Sequence, residues 1–201
     1  MDTPYHANRP FSVPQIHRDT LKKEIDRLVK LGVLRPANKS RHAYPTFIIP
    51  KSDNTVRFIS DFRKLNEKLL RENCPPPTIS DILQTLQGFQ FATSLDLNMG
   101  YYTIRLSPSA QDMCTIITPY GKYSYQRLPM GVSASSDIFQ SKMMQLMQGL
   151  EELVRTYLDD LLIIGRGSFE DHLDLVDKVL SRLQKAGLKV NAKNVNFSLL
   201  K

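Results

Sequence analysis

The chain has 201 residues, 41% of them hydrophobic and 23% charged, a globular balance that excludes a disordered tail or a fibrous repeat and suits one or two domains with a real core. Its longest apolar run, residues 161–164, is too short to span a bilayer, and the opening MDTPYHANRPF lacks the apolar stretch of a signal peptide. The net charge of +7 is uneven: residues 1–71 hold 15 Lys/Arg against 7 Asp/Glu, a net of +8, which suits a polyanionic partner and equally a solvated basic face.

In chain order, an amphipathic helix is predicted over residues 19–31, with Leu21, Ile25 and Leu28 on one face and Gly32 as its stop. Strands follow over 46–49 and 56–59. Pro75, Pro76 and Pro77 form a stiff extended connector, and residues 80–87 read as a short helix ending at Gly88. Strands over 91–95, 102–106, 115–118 and 122–127 come next, with Pro119-Tyr120-Gly121 as a turn between the last two. A helix over 133–150 carries Ile138, Phe139, Met143, Leu146 and Leu150, its methionines filling core gaps. Strands over 154–157 and 161–164 precede a last helix over 168–186, opened by Ser168 and Asp171 at capping-box spacing and stopped by Gly187. Helices and strands mix without strict alternation, which predicts an α+β fold with helices packed on a largely antiparallel sheet. Two cysteines, Cys74 and Cys114, make no disulfide framework and point to a reducing compartment.

Tyr157-Leu158-Asp159-Asp160 sits between two apolar, β-rich runs. Adjacent aspartates repel, and no lysine nearby in sequence pairs with them; an exposed strand–turn–strand tip accounts for them without any function. A third carboxylate, Asp96, follows the apolar strand 91–95 and precedes Leu97-Asn98-Met99-Gly100-Tyr101-Tyr102. Two strands side by side would bring Asp96 to Asp159 and Asp160. Carboxylates crowded in this way need a compensating charge. Hard divalent cations, usually Mg²⁺, fit oxygen ligands, and two of them about 4 Å apart form the clamp used for phosphoryl transfer.

In order and spacing these stretches resemble the palm motifs of a reverse transcriptase, nearest to the polyprotein polymerases of gypsy-type LTR retrotransposons. Residues 96–102 resemble the first motif, Leu128-Pro129-Met130-Gly131 through Phe139-Gln140 the second, and 157–160 the third. Residues 56–66 (VRFISDFRKLN) resemble the fingers signature, and Gly187-Leu188-Lys189-Val190-Asn191 the segment after the palm helix; the match runs from about Pro10 to Phe197. The resemblance implies an α+β right-hand polymerase fold. Fingers would comprise 1–71 and 104–134. The palm would comprise 72–103 and 135–201, an antiparallel sheet backed by helices. The thumb is expected to be absent, since the chain stops at Lys201, before the primer grip. The implied activity is RNA-directed DNA polymerase, a nucleotidyltransferase joining dNTPs to a primer 3′-OH on an RNA or DNA template. The alternative is a catalytically silent, nucleic-acid-binding remnant of such an enzyme. Thumb, connection and ribonuclease H segments are expected in a full-length polyprotein, and without a thumb template–primer binding is expected to be weak. The expected location is intracellular, cytoplasmic in a virus-like particle or nuclear, with no membrane segment.

By the same resemblance, Asp96 and Asp159 hold two Mg²⁺ ions, with Mn²⁺ as a substitute, the Leu97 carbonyl as a further ligand and Asp160 as an accessory carboxylate. Arg57 and Lys51 would grip the incoming triphosphate, the arginine as a fork and the lysine as a point charge; Arg57 is otherwise an outward residue on a strand. Met99 and Gly100 would offer backbone amides to the phosphates. Tyr101 falls at the sugar gate, where a ring collides with a ribose 2′-hydroxyl; a core tyrosine is the plain alternative, with Tyr102 on the other face. Gly131 would let template or nucleotide pass close to the backbone. Gln140 would support the template strand, unless it is a surface glutamine, and Tyr157 belongs to the same template–primer group. The sequence also departs from the family. Met130 stands where phenylalanine is usual, which leaves its nucleotide contact open. Ser135 and Ser136 replace Ala-Pro and are expected to shift the helix start. Asn194 replaces a lysine that donates a proton to the leaving pyrophosphate, a general-acid role that Lys193 would take only if the loop shifts.

Overall fold

The computed structural model describes residues 7–50, 56–70, 88–157 and 160–199. The predicted helix at 80–87 and the proline connector lie outside the described residues. The first half runs α1 (Gln15–Lys30), β1 (Leu34–Pro36), β2 (Tyr44–Pro50), β3 (Val56–Ser60), α2 (Arg63–Asn66), β4 (Phe91–Asn98), α3 (Pro108–Met113), β5 (Thr115–Thr118) and β6 (Gly121–Tyr125). The second runs α4 (Ser135–Leu146), β7 (Val154–Tyr157), β8 (Asp160–Gly165), α5 (Phe169–Lys185), β9 (Lys189–Val190) and β10 (Asn196–Leu199). The chain divides into two compact units, Met1–Leu70 with Ile104–Ser135, and Arg71–Thr103 with Ser136–Lys201.

In the first unit, α1 buries Leu21, Ile25 and Leu28, the stripe its periodicity predicts. It starts at Gln15 rather than Asp19, because Pro14 sets the entry while exposed Gln15, Ile16 and Arg18 carry no apolar period. Leu21 and Ile25 of that stripe pack with Val13 against Ile48, Phe58 and Tyr123. These belong to a five-stranded sheet of order β1-β6-β5-β2-β3. The pair β2/β5 is parallel, with Tyr44 opposite Ile116, whereas its other pairs are antiparallel. Tyr44, Phe62 and Tyr125 stack edge to face with centroids 5.3 and 6.0 Å apart. The buried hydroxyls of Ser60 and Tyr125 are hydrogen-bonded to each other at 2.9 Å, and Thr46 Oγ1 donates to Ser60 Oγ at 3.5 Å. Cys114 is buried here and its thiol is pushed up to about 12 by desolvation, so it is inert at neutral pH.

The predicted strand at 102–106 is not formed. Met99 takes a left-handed φ of 55°, Tyr102 N–H donates to the Met99 carbonyl at 3.0 Å, and Gly100–Thr103 winds into a 3₁₀ turn. Only Arg105 of that stretch forms an isolated antiparallel bridge, to Arg127. The helix expected over 133–150 is α4, ending at Leu146; buried Met147 still bonds i→i−4 to Met143, and buried Leu150 follows through a tighter i→i−3 turn onto Met147.

The second unit is an antiparallel sheet of order β10-β4-β8-β7, with β9 added to β4. Thr93, Leu95 and Leu97 of β4 and Leu161 and Ile163 of β8 are buried on one face. That face is covered by α4, through Gln140 on Thr156, and by α5, through His172 on Thr93. Helix α5 is opened by the predicted reciprocal cap of Ser168 and Asp171 and buries His172, Val176, Val179 and Leu183. Ser94, Asp96, Asp160 and Leu162 leave the sheet from the other face, and none of them is fully buried.

His172 is 1% exposed, with Nε2 at 2.8 Å from Thr93 Oγ1 and its ring stacked on Phe91 at 5.8 Å. Gly165 makes room for it: a Cβ there would lie 2.6 Å from His172 Nδ1. Burial holds the imidazole below the ordinary histidine pKa of 6.5. The native state therefore resists a proton that the unfolded state accepts, and stability that is complete above pH 6.5 is lost as pH falls below it. Thermal melts between pH 7.5 and 5.0 should show a fall in Tm that is smaller in His172→Phe, whose ring keeps the stacking but cannot titrate. Equal slopes in the two proteins would contradict this account of His172.

Candidate active site

The register of β4 against β8 places Asp96 directly opposite Asp160. Side chains directly opposed on antiparallel strands leave the same face, with Cβ atoms roughly 4.5–5.5 Å apart. The two carboxylates therefore share the face turned away from both helices. From β7, Tyr157 pairs with Asp160. Leu158, Asp159 and Lys51 lie outside the described residues.

Among the described residues no lysine or arginine forms an ion pair with Asp96 or Asp160. Neutral amides take that place. The Asn194 side chain donates to Asp96 Oδ2 at 2.6 Å and that of Asn191 donates to the same oxygen at 3.2 Å. The Asn191 backbone N–H donates to the Asp96 carbonyl at 2.8 Å, which fixes the β9 end against β4. Opposed carboxylates without a cationic partner, Asp96 held by amides, are the donor chemistry of a hard divalent cation. Leu97 is 4% exposed, so its side chain is committed to the core and only its backbone can serve a ligand.

Beyond Asp96 the chain reverses sharply. Met99 is the one non-glycine with positive φ among the described residues, a conformation that costs about 1–2 kcal/mol. Gly100 follows, packed so closely on Phe139 that a Cβ would sit 2.7 Å from its Cζ. Tyr101 is 8% exposed and stacks on the same ring at 4.8 Å and 30°. Tyr102, half-buried, does not simply take the opposite face, because successive side chains in a 3₁₀ turn are spaced by about a third of a revolution.

In the other unit, Arg57 is exposed on β3, opposite Ile49. Met130 is exposed, and Gly131 has φ 93°, with room for a Cβ only 3.1 Å from the Ser60 carbonyl oxygen. Asn66 brackets this loop, donating to the Gly131 carbonyl at 2.9 Å and accepting from Ser133 N–H at 2.8 Å. The Ser135 hydroxyl donates to the Pro129 carbonyl at 2.7 Å, tying the loop to the start of α4.

Gln140 is not a surface glutamine. It is 4% exposed and donates to Thr156 Oγ1 at 2.8 Å and to the Thr156 carbonyl at 3.2 Å, so it braces β7. Lys193 lies in the 3₁₀ turn Ala192–Asn194. Three residues of the site were not singled out from the sequence. Asn66 lay within the fingers signature and Asn191 closed a quoted motif, but neither carried a charge or spacing that announced a bond to a residue 65 or 95 positions away, and Phe139 read only as core packing of its helix.

The comparison with solved structures gives the class. The prototype foamy virus protease–reverse transcriptase superposes with a TM-score of 0.87 at 26% identity, over 97% of this chain and 26% of that one. A foamy viral protease–reverse transcriptase in complex with an RNA/DNA hybrid superposes with a TM-score of 0.88 over the whole chain at 22% identity. The fold is thus the fingers–palm part of a right-hand polymerase. Residues 49–199 match the family model described as reverse transcriptase (RNA-dependent DNA polymerase), and the chain belongs to that family. Among curated relatives, it is 32% identical over 89% of its length to the Retrovirus-related Pol polyprotein from transposon gypsy of Drosophila melanogaster, covering 18% of that protein. It is 29% identical over 98% of its length to the opus polyprotein of the same organism, covering 20%. It is 30% identical over 92% to the enzymatic polyprotein of Soybean chlorotic mottle virus, covering 27%. The chain therefore spans about a fifth to a quarter of the length of these relatives.

Gly100→Ala tests the packing under the site. Alanine would relieve up to about 1 kcal/mol of unfolded-chain entropy, but the collision with Phe139 costs about 1–3 kcal/mol, so a net loss is expected in urea denaturation. A variant as stable as the parent would show that Phe139 moves freely.

Proposed function

We propose that the chain is the fingers–palm part of an RNA-directed DNA polymerase that transfers nucleotides from dNTPs to a primer 3′-OH on an RNA or DNA template. The observation that carries the proposal is the opposition of Asp96 and Asp160 across β4 and β8, with amides rather than cations on Asp96. Support also comes from the family match and from the relatives' solved complexes, one with an RNA/DNA hybrid and others with double-stranded DNA.

In this proposal the unit Met1–Leu70 with Ile104–Ser135 is the fingers and the other unit the palm. Asp96, Asp159 and Asp160, with the Leu97 carbonyl, would hold two Mg²⁺ or Mn²⁺ ions. Bound there, they would lower the pKa of the primer hydroxyl and offset charge on the leaving pyrophosphate. The rest falls to the chain's own groups. Arg57, exposed and forked, and Lys51 bind the triphosphate. Met99 and Gly100 present backbone amides to it, which the left-handed Met99 and the bare Gly100 allow. Tyr101, held by Phe139, is the rigid wall that excludes a 2′-hydroxyl, and Met130 lies on the nucleotide side. Gly131 and Tyr157 border the template–primer, and Gln140 acts on it through β7. Lys193 is the candidate proton donor. Catalysis in such a site is positioning and electrostatics rather than covalent chemistry.

The basic first third supplies phosphate contacts, so template–primer binding should weaken steeply with salt. Among the described residues no helix is long and apolar enough to cross a membrane, and we place the protein inside the cell, in the cytoplasm or nucleus. Primer extension with Mg²⁺ and single nucleotides tests the proposal. Asp96→Asn and the double variant Asp159→Asn/Asp160→Asn should lose extension by at least about 10³-fold, the several kcal/mol that metal charge supplies, and Tyr101→Ala should admit ribonucleotides. Salt-sensitive binding without any extension would favour the silent remnant instead, and extension persisting in the aspartate variants would point to another centre.

A further inference from the structure

Asn191 and Asn194 lie 95 and 98 residues from Asp96, yet both side-chain amides converge on one of its oxygens, Oδ2, at 3.2 and 2.6 Å. The convergence is built by the backbone. Strand β9 pairs Val190 with Leu97, the Asn191 N–H closes on the Asp96 carbonyl, and the turn Ala192–Asn194 then folds Asn194 back over the strand end, with its own N–H donating to the Asn191 carbonyl at 3.0 Å. Asn194 is solvent-exposed, so its amide forgoes hydration to meet the carboxylate, and nothing in the core requires it there.

We infer that Asn191 and Asn194 form an amide clamp that fixes the Asp96 carboxylate for divalent-cation binding; the inference rests on the two-metal proposal above. The physical logic has three parts. A free aspartate on a sheet face rotates about χ1 and χ2, and that freedom must be given up when a cation binds. Two donors on one oxygen remove it in advance and leave the opposite oxygen without an amide from the clamp. An amide also carries no net charge, so it orients the carboxylate without cancelling the charge a cation needs, which an ammonium at the same place would do. Partners of this kind, bonded to a ligand but not to the metal, commonly set metal affinity by an order of magnitude or more. Asn191 and Asn194 are thus positioning residues, acting through Asp96.

Mn²⁺ titration of the full chain, followed by the electron paramagnetic resonance of the free ion, tests this without reference to polymerisation. Asn194→Ala should bind Mn²⁺ about tenfold more weakly, with the metal-free Tm unchanged because the residue is exposed. Wild-type affinity in Asn194→Ala, while Asp96→Asn has lost binding, would overturn the clamp and leave the metal site standing. Weakened binding accompanied by a matching fall in metal-free Tm would overturn it as well, by making Asn194 a structural residue. Wild-type affinity in Asp96→Asn would overturn the metal proposal and the clamp with it.

Discussion

Two carboxylates directly opposite each other on neighbouring strands repel, and like charges in that position destabilise a sheet. Here Asp96 and Asp160 are held in that relation by everything else in the second unit. The same register that opposes them also pairs Leu95 with Leu161 and Thr93 with Ile163, all four at 2% exposure or less. Slipping β8 by one residue would separate the aspartates, but it would also turn this apolar set from the helix-covered face to the open one. At about 25 cal/mol per Å² of apolar surface, the loss of several buried side chains exceeds the relief of one exposed repulsion. The hydrophobic register thus dictates the electrostatic one.

The supports of the site follow the same division of labour. On the covered face, α5 locks the sheet through a neutral histidine that fits only over Gly165. Helix α4 contributes Gln140 to β7 and Phe139 to the turn after β4, so one helical segment braces both flanks of the aspartate pair. On the other face, polar contacts govern the end around Asp96, chiefly the two asparagine amides, while Ala92 and Ile164 are buried at the opposite end. The left-handed Met99 stores about 1–2 kcal/mol at the strand end. It is the kind of local cost that packing elsewhere must offset, and it turns the following backbone amides and Tyr101 away from the course a strand would take.

What was legible in the sequence is what local patterns control. The capping box of Ser168 and Asp171, the stripe Leu21-Ile25-Leu28 and the apolar strand over 91–95 each determine structure within a few residues, and each is present, the strand running on to Asn98. The expectation that two strands side by side bring Asp96 to Asp160 is met by the register of β4 on β8. What was not legible depends on distant parts of the chain. Residues 102–106 have strand composition, yet Met99 diverts them, and among the described residues their pairing is limited to the bridge of Arg105 with Arg127 and the backbone bonds beside it, Leu106 N–H to Gln126 and Leu128 N–H to Ile104. The parallel pairing of β2 with β5 joins Tyr44 to Ile116, across a stretch of chain that passes through the second unit. Gln140 looks like a surface residue until Thr156 is placed beneath it, and Asn194 looks like a lost lysine until the β9 turn brings it onto Asp96.

The central claim is that residues from two separate stretches of chain share a divalent cation on the open face of the β4/β8 pair. Crystals grown with Mn²⁺ and measured at its absorption edge test it directly. An anomalous peak within coordination distance, about 2.2 Å, of carboxylate oxygens from both Asp96 and the Asp159-Asp160 pair is the expected result. Saturating Mn²⁺ with no peak there, or with the Asp96 carboxylate turned away from the β7–β8 hairpin, would contradict it.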